Sequence, residues 1–299
     1  MTLALTGATG FVGSHVAEAA LASGISLRGV VRSPARGAWL AERGLPLVAA
    51  ELGDRPALAR AFAGCEAVIA NAALRSFTGS LDEMVRTNVT GTENTLRAAA
   101  DAGVRRIVYI STVAVYRTAI LRPMSEDHPR YGHQRRAFSW THLTSDWRYA
   151  VSKCVAEDRA WEVAAELGLS MTVLRPGPIF GSRDTRWTGR ILRQLSRKVA
   201  LAPTVGIPLV HVGDVAAAVL AAATRPETAG HAYNLAGPPV SVLRVIRTLR
   251  TLAGRGPLLI PVPLPLWVAY DCRAAQRELG FATRTLEEGL TEVLGAPAC

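Results

Sequence analysis

Five residues in the middle of the chain, Tyr149-Ala150-Val151-Ser152-Lys153, have a spacing with chemical content. Side chains four apart on a helix stand on one face, so the Tyr149 phenol and the Lys153 amine point the same way. A phenol beside a fixed cation can release and recover a proton. Moving its pKa from ~10 to ~7 asks for about 4 kcal/mol of charge stabilisation. The alternative is an ordinary exposed helix face. Composition bears on the choice: of 34 basic residues only Lys153 and Lys198 are lysines, so arginine serves wherever any cation will do. A lysine kept at this position suits a task for a compact point charge, such as binding two ribose hydroxyls.

The elements that position this pair begin at the N-terminus. Residues 2–6 (TLALT) are a short apolar run leading into Gly7-Ala8-Thr9-Gly10-Phe11-Val12-Gly13. Helical periodicity follows through Val16, Ala20 and Leu21 and stops at Gly24. Strand, glycine loop and helix in this order predict a dinucleotide site, because glycine lets the backbone approach a pyrophosphate and the helix start offers N–H groups. Gly7, Thr9, Gly10, Phe11, Val12 and Gly13 are its candidate cradle; alone, the glycines would equally mark a tight turn. A second strand, Leu27 to Val31, ends in Arg32-Ser33-Pro34-Ala35-Arg36, with no acid to take a ribose 2′-hydroxyl. Arg32 and Ser33, with Arg36, suit a 2′-phosphate, since guanidinium makes charge-assisted bonds to it. NADP is expected ahead of NAD, the alternative being solvated arginines in an arginine-rich chain.

Strand and helix patterns then alternate. Strands are expected over 47–51, 67–70, 106–110, 169–174 and 231–236, and helices from Asp54 and Pro56, over 81–102, from Tyr149 to 167, and from about 212 to 224. This predicts an α/β fold, a doubly wound parallel sheet of Rossmann type with a small C-terminal substrate lobe. Residues 1–175, with 208–236 returning to them, are assigned to the dinucleotide-binding domain, and 176–207 and 237–299 to the lobe. Asn71, Ala72 and Ala73 close the strand at 67–70 and are candidate cofactor contacts. Asp54 is placed to meet an adenine or simply to cap its helix. Asn88 is polar in mid-helix, where a local backbone bond is the plain role. Thr112 follows the strand at 106–110, where ligands bind in such sheets; it could donate to a substrate oxygen beside the Tyr149 hydroxyl, or close a turn. From Arg117 to Trp147 periodicity fails. That loop, with Arg122, Arg130, Arg135, Arg136, Phe138, Trp140 and Trp147, reads as part of a substrate pocket.

Composition narrows the function class. At 299 residues, 49% hydrophobic and 19% charged, the chain fits a soluble globular enzyme. The N-terminus lacks a basic leader, and no run of about 18 apolar residues occurs, so neither a secretion signal nor a membrane partner is expected. The apolar stretch from Pro257 to Tyr270 is broken by prolines and reads as loop or pocket wall ahead of a membrane-touching edge. Cys65, Cys154, Cys272 and Cys299 are scattered, which predicts neither disulfides nor a metal site and points to a reducing cytoplasm. A net charge of +10 raises the question of nucleic acid. The arginines are spread along the chain without an aromatic-basic motif, so nucleic acid is not expected and an anionic cofactor is.

Together TGATGFVG, the Asn88 segment, STVAVY, YAVSK, RPGPIFG, HVGDVA and DCRAAQRELGF resemble the extended short-chain dehydrogenase/reductases. That group holds sugar-nucleotide epimerases, dehydratases and dihydroflavonol-reductase-like enzymes. The resemblance implies that Tyr149 is the acid/base, that Lys153 binds the nicotinamide ribose, and that Thr112 holds the substrate oxygen. It implies further that Asn88 is the helix asparagine, that Gly7, Gly10 and Gly13 carry the pyrophosphate, and that Pro176 borders the nicotinamide. A homodimer through two helices is common in the group. Three positions depart from its pattern: Ile207 stands where an arginine often holds a nucleotide-sugar diphosphate, Arg117 replaces a glycine, and the stretch from Pro265 to Asp271 is short. The reading is an NADP(H)-dependent oxidoreductase acting on a small-molecule alcohol or carbonyl. An epimerase or dehydratase with retained cofactor uses the same residues. A non-catalytic NADPH-sensing or nucleic-acid-associated protein is the third possibility.

Overall fold

In the computed structural model, residues 1–74, 81–117, 119, 122–131, 147–185, 187–264 and 266–295 are described. Strand β1 (Thr2–Thr6) divides its side chains between two cores. Leu3 and Leu5 join Val16 and Ala20 of α1 (Phe11–Ala22), whereas Ala4 joins Leu58, Phe62 and Leu96 on the other side. The same period of two splits Ala67 and Ile69 from Val68 and Ala70, and Val108 and Ile110 from Ile107 and Tyr109. A sheet buried on both faces needs apolar residues at every position, which is why these strands read as unbroken apolar runs.

The remaining elements of the sheet follow in order. They are β2 (Ser26–Val31), β3 (Leu47–Ala49), β4 (Ala67–Ala70) and β5 (Arg106–Ile110), then β6 (Ser170–Pro176) and, last to join, Ala232–Leu235. All pair in parallel; β1 lies between β2 and β4, β6 follows β5, and the strand Ala232–Leu235 is the edge beyond β6. The chain therefore reverses direction across the sheet between β1 and β4, and the crevice at that switch point is where ligands bind in such folds. The helices α2 (Ala38–Ala41), α3 (Arg55–Phe62), α4 (Leu81–Val85), α5 (Gly91–Asp101) and α6 (Trp147–Leu167) occupy the connections. The expected helix over 81–102 is interrupted by a π-helical turn, Arg86–Thr90, centred on Asn88.

Outside the main sheet lie three two-stranded pairs. They contain β7 (Ile179–Phe180), β8 (Val199–Pro203), β9 (Gly206–Ile207), β10 (Val210–His211), β12 (Val240–Ser241) and β13 (Leu258–Val262), while β11 is the main-sheet edge Ala232–Leu235. Phe180, Leu195, Ile207, Val245 and Leu290 form a separate apolar cluster there. The expectation of a loop from Pro257 is corrected: Leu258–Val262 is a strand, parallel to β8. Pro261 misled the reading, since proline is tolerated where a strand's N–H faces no partner.

Candidate active site

The carboxyl ends of β1, β4, β5 and β6 open into one cavity of about 1480 Å³. Gly7 begins its floor with φ +69°, and a Cβ there would stand 3.0 Å from the Ala72 backbone. At Gly13 a Cβ would stand 2.1 Å from the Gly7 carbonyl oxygen. Glycine is therefore required at Gly7 by conformation as well as contact, and at Gly13 by contact alone. Gly7, Thr9, Gly10, Phe11 and Val12 line the cavity; Gly13 does not, so its task is to let α1 close on the loop. No side chain caps the start of α1 at Gly10, which leaves helix N–H groups for a ligand. Asn71 braces the loop from β4. Its Nδ2 donates to the carbonyls of Thr6 (3.3 Å) and Gly7 (3.4 Å), while Thr6 Oγ1 accepts from the amides of Asn71 (3.0 Å) and Ala72 (3.1 Å). Asn71, Ala72 and Ala73 all line the cavity.

At the end of β2, Arg32, Ser33 and Arg36 line the same cavity. Both arginines are exposed and pair with no carboxylate among the described residues. Asp54 is not part of the lining. Its Oδ1 accepts from the Ala57 amide at 2.9 Å and caps α3, while Glu51 and Asp184 are the acids among the lining residues. Of the two roles open to Asp54, the capping one is what its backbone position selects.

Thr112, Tyr149, Lys153 and Pro176 line the cavity together. Thr112 Oγ1 accepts from the Ala114 amide at 3.2 Å, which leaves the hydroxyl hydrogen to donate elsewhere. Lys153 is 2% exposed, and its Nζ donates to Tyr109 Oη and the Ile110 carbonyl, both at 2.8 Å. Burial drives its pKa from 10.5 down to about 7, against the pull of the Glu157 carboxylate. The fixed ammonium expected from the sequence is thus a group that titrates near neutrality. The unfolded chain keeps this proton up to its ordinary pKa, so between about pH 7 and 10.5 it binds more protons than the folded one. Without added dinucleotide, stability should rise with pH across that window, and Lys153→Met should flatten the rise. Denaturant titrations at pH 7, 8 and 9 check this; parallel curves for the two proteins would refute it.

Asn88 is buried behind the cavity, not in it. Its Oδ1 accepts from the Leu74 amide (2.7 Å), and its Nδ2 donates to the Leu74 carbonyl (3.0 Å) and to Ser152 Oγ (2.9 Å). Ser152 Oγ in turn donates to the Tyr149 carbonyl at 2.9 Å. Asn88 therefore ties the Asn71–Leu74 segment to the helix that carries Tyr149. The π-helical turn around it is a device often found beside functional sites.

One turn beyond Lys153, Glu157 is completely buried. It accepts from Arg175 Nη2 (2.5 Å), Arg130 Nη1 (3.0 Å) and Ser111 Oγ (2.5 Å). Arg175 Nη1 also reaches Tyr116 Oη (2.6 Å), whose hydroxyl donates to Asn234 Oδ1 (2.7 Å). Arg130, expected in the pocket wall, is turned to Glu157 and Asp158 instead. Arg122 is exposed away from the cavity. Arg135, Arg136, Phe138, Trp140 and the Trp147 side chain lie outside the described residues.

Toward the other end of the cavity the wall is apolar, built from Val113, Ile179, Trp187, Ile207, Leu266 and Val268. Arg183 lines it too, but Glu18 holds its guanidinium at 3.1 and 2.5 Å.

The profile of the NAD dependent epimerase/dehydratase family matches residues 3–236. The chain belongs to this family. Cinnamoyl-CoA reductase 1 of Petunia hybrida is 32% identical over 240 residues, 76% of this chain and 70% of that protein. A 4-hydroxy-2-methyl-3-oxo-4-farnesyl-3,4-dihydroquinoline-1-oxide ketoreductase of Stigmatella aurantiaca is 31% identical over 249 residues, 82% of this chain and 71% of that one. The solved structure of MoeE5 in complex with UDP-glucose and NAD is 28% identical, covers 98% of this chain and 97% of its own, and superposes with a TM-score of 0.80. This epimerase/dehydratase-family chain is thus an NAD(P)-dependent enzyme of the oxidoreductase or epimerase type, and its cradle fits the cofactor. The Gly7–Gly13 contact leaves room for backbone approach, α1 starts uncapped, and Arg32 is free to meet a phosphate. Sequence reasoning missed Tyr109, Glu157 and Arg175. A tyrosine inside a buried strand was the available signal, since its hydroxyl needs a partner.

Proposed function

We propose that the protein is an NADP(H)-dependent reductase that interconverts a carbonyl and a secondary alcohol on an apolar small molecule. The observation that carries the reading is the convergence of Thr112, Tyr149 and Lys153 on a cavity whose far wall is apolar. The nicotinamide, when bound, supplies or takes up the hydride. Tyr149 gives its phenolic proton to the substrate oxygen, or takes it back, and Thr112 donates a second hydrogen bond to that oxygen. Lys153, drawn from the Tyr109 hydroxyl, holds ribose hydroxyls and favours the Tyr149 phenolate. The Glu157 carboxylate favours the protonated form of that amine against the effect of burial. Arg32 and Arg36 take the 2′-phosphate.

Ile207 and its apolar neighbours offer nothing to a nucleotide-sugar diphosphate, which favours reduction over epimerisation. The test is a panel of aryl and alkyl ketones and thioesters followed by NADPH absorbance, with NADH in parallel. Turnover of none of them, together with a dinucleotide that stays bound through purification and is regenerated each cycle, would replace this reading by the epimerase one. Arg32→Ala should lower the NADPH-over-NADH ratio of kcat/KM by about 10- to 100-fold, as expected for losing charge-assisted bonds to a phosphate. An unchanged ratio would reassign Arg32 to solvent.

A further inference from the structure

Two strands outside the main sheet turn aliphatic side chains to solvent. β8 and β13 pair with Val199 opposite Leu258 and Leu201 opposite Ile260. Val199 is 48% exposed, Leu201 67%, Leu258 65% and Ile260 46%, whereas Ala200 and Ala202 between them are buried. A two-stranded sheet ordinarily turns its polar face outward; here the order is reversed. The face runs on through Leu264 (45% exposed), which with Leu266 and Val268 lines the cavity.

Charge surrounds this face with one sign. The sequence has no acidic residue between Asp184 and Asp214, nor between Glu227 and Asp271, while arginine recurs in both stretches. Arg197 and Lys198 immediately precede β8, and Arg255 precedes β13. Because the strands are parallel, these cations share one end of the face. All three are exposed and pair with no carboxylate among the described residues. Of the acids that bound these stretches, Asp214 and Asp271 are engaged with Arg284 and Arg273.

We propose that this face docks on the surface of an anionic bilayer, with its aliphatic rows in the interfacial layer and Arg197, Lys198 and Arg255 against the lipid headgroups. A second copy is a poorer occupant, since the same face on another molecule offers these cations no anionic partner. No helix among the described residues is long and apolar enough to cross a membrane, so the contact is interfacial. The sequence expectation of no membrane partner rested on the missing apolar run, which excludes spanning and says nothing of surface contact. Docking sets the cavity mouth, at Leu264, beside the lipid.

The test is co-sedimentation with vesicles of phosphatidylcholine alone and of phosphatidylcholine mixed with phosphatidylglycerol. The protein should pellet with the anionic vesicles only and be released by salt. Leu201→Glu with Leu258→Glu should abolish pelleting. Arg197→Gln, Lys198→Gln and Arg255→Gln should weaken it by about 5-fold per charge, the worth of a cation near an anionic surface. Neither set lines the cavity, and unchanged thermal melts separate lost docking from lost folding; should the glutamate variant misfold, the glutamine variant carries the test. Wild-type protein left in the supernatant with anionic vesicles overturns the proposal. So does pelleting indifferent to both sets, or a wild-type dimer that the glutamates disperse without any vesicle binding.

Discussion

Replacing Tyr149 with Phe lowers turnover by about 10²- to 10⁴-fold, the range of positioned proton transfer, and leaves NADPH affinity close to wild type. The split is expected because the glycine loop and the Arg32 rim would hold the dinucleotide through groups that the substitution leaves in place. The phenylalanine keeps the ring and loses only the hydroxyl. Single-turnover rates with NADPH and the best carbonyl of the panel measure the first quantity, and fluorescence titration of NADPH measures the second. A variant that turns over like wild type would remove Tyr149 from the chemistry. One that loses NADPH binding as well would show the ring to be part of the cofactor wall.

The second large effect falls on stability. Glu157→Gln removes the charge from a site with no exposure and leaves Arg175, itself 4% exposed, without its carboxylate. Breaking a buried ion pair by neutralising one partner costs about 3–5 kcal/mol, because the remaining charge stays desolvated. Burial pushes the Glu157 carboxyl upward in pKa, but the charge and hydrogen bonds of Arg175, then Ser111 and Arg130, carry it below the ordinary 4.5. A folded pKa below the unfolded one gives stability that is present above about pH 4.5 and is lost as pH falls through the folded value. The deficit of the variant should therefore be widest at neutral pH and narrow in acid, where wild type loses the same charge. Adding Arg175→Met should recover part of the loss. Urea midpoints at pH 7 and pH 4 are the measurement; a variant as stable as wild type at pH 7 would mean that the pair carries no net stability.

These two residues show what one chain of letters reveals. Tyr149 declares itself through Lys153, four residues on, because a helix puts both on one face. Glu157 continues the same spacing and reads as the solvated face of α6. Only β6, which brings Arg175 alongside, makes its burial visible. The strands of the sheet were readable for a similar reason: β4 is apolar throughout, and β1 and β5 depart from that only at end residues, as a doubly covered sheet requires. At the margins the signal fails. β13 carries Pro261, and Asp54 fits both an adenine contact and a helix cap until the backbone makes it the cap. The glycine loop was legible as a whole, but Gly13's partner is the carbonyl of Gly7, a contact that no spacing rule names.

Lysine scarcity also has a practical side. Lys153 is 2% exposed in the wall of the cavity, whereas Lys198 is exposed beside β8. Amine-directed reagents therefore meet two groups on the outside, Lys198 and the N-terminal amine of Met1, so a dye or resin linked there marks two known spots on the surface. The same reagent, followed over time, becomes a reporter: acylation of the inner amine would register each opening of the sheet's central crevice.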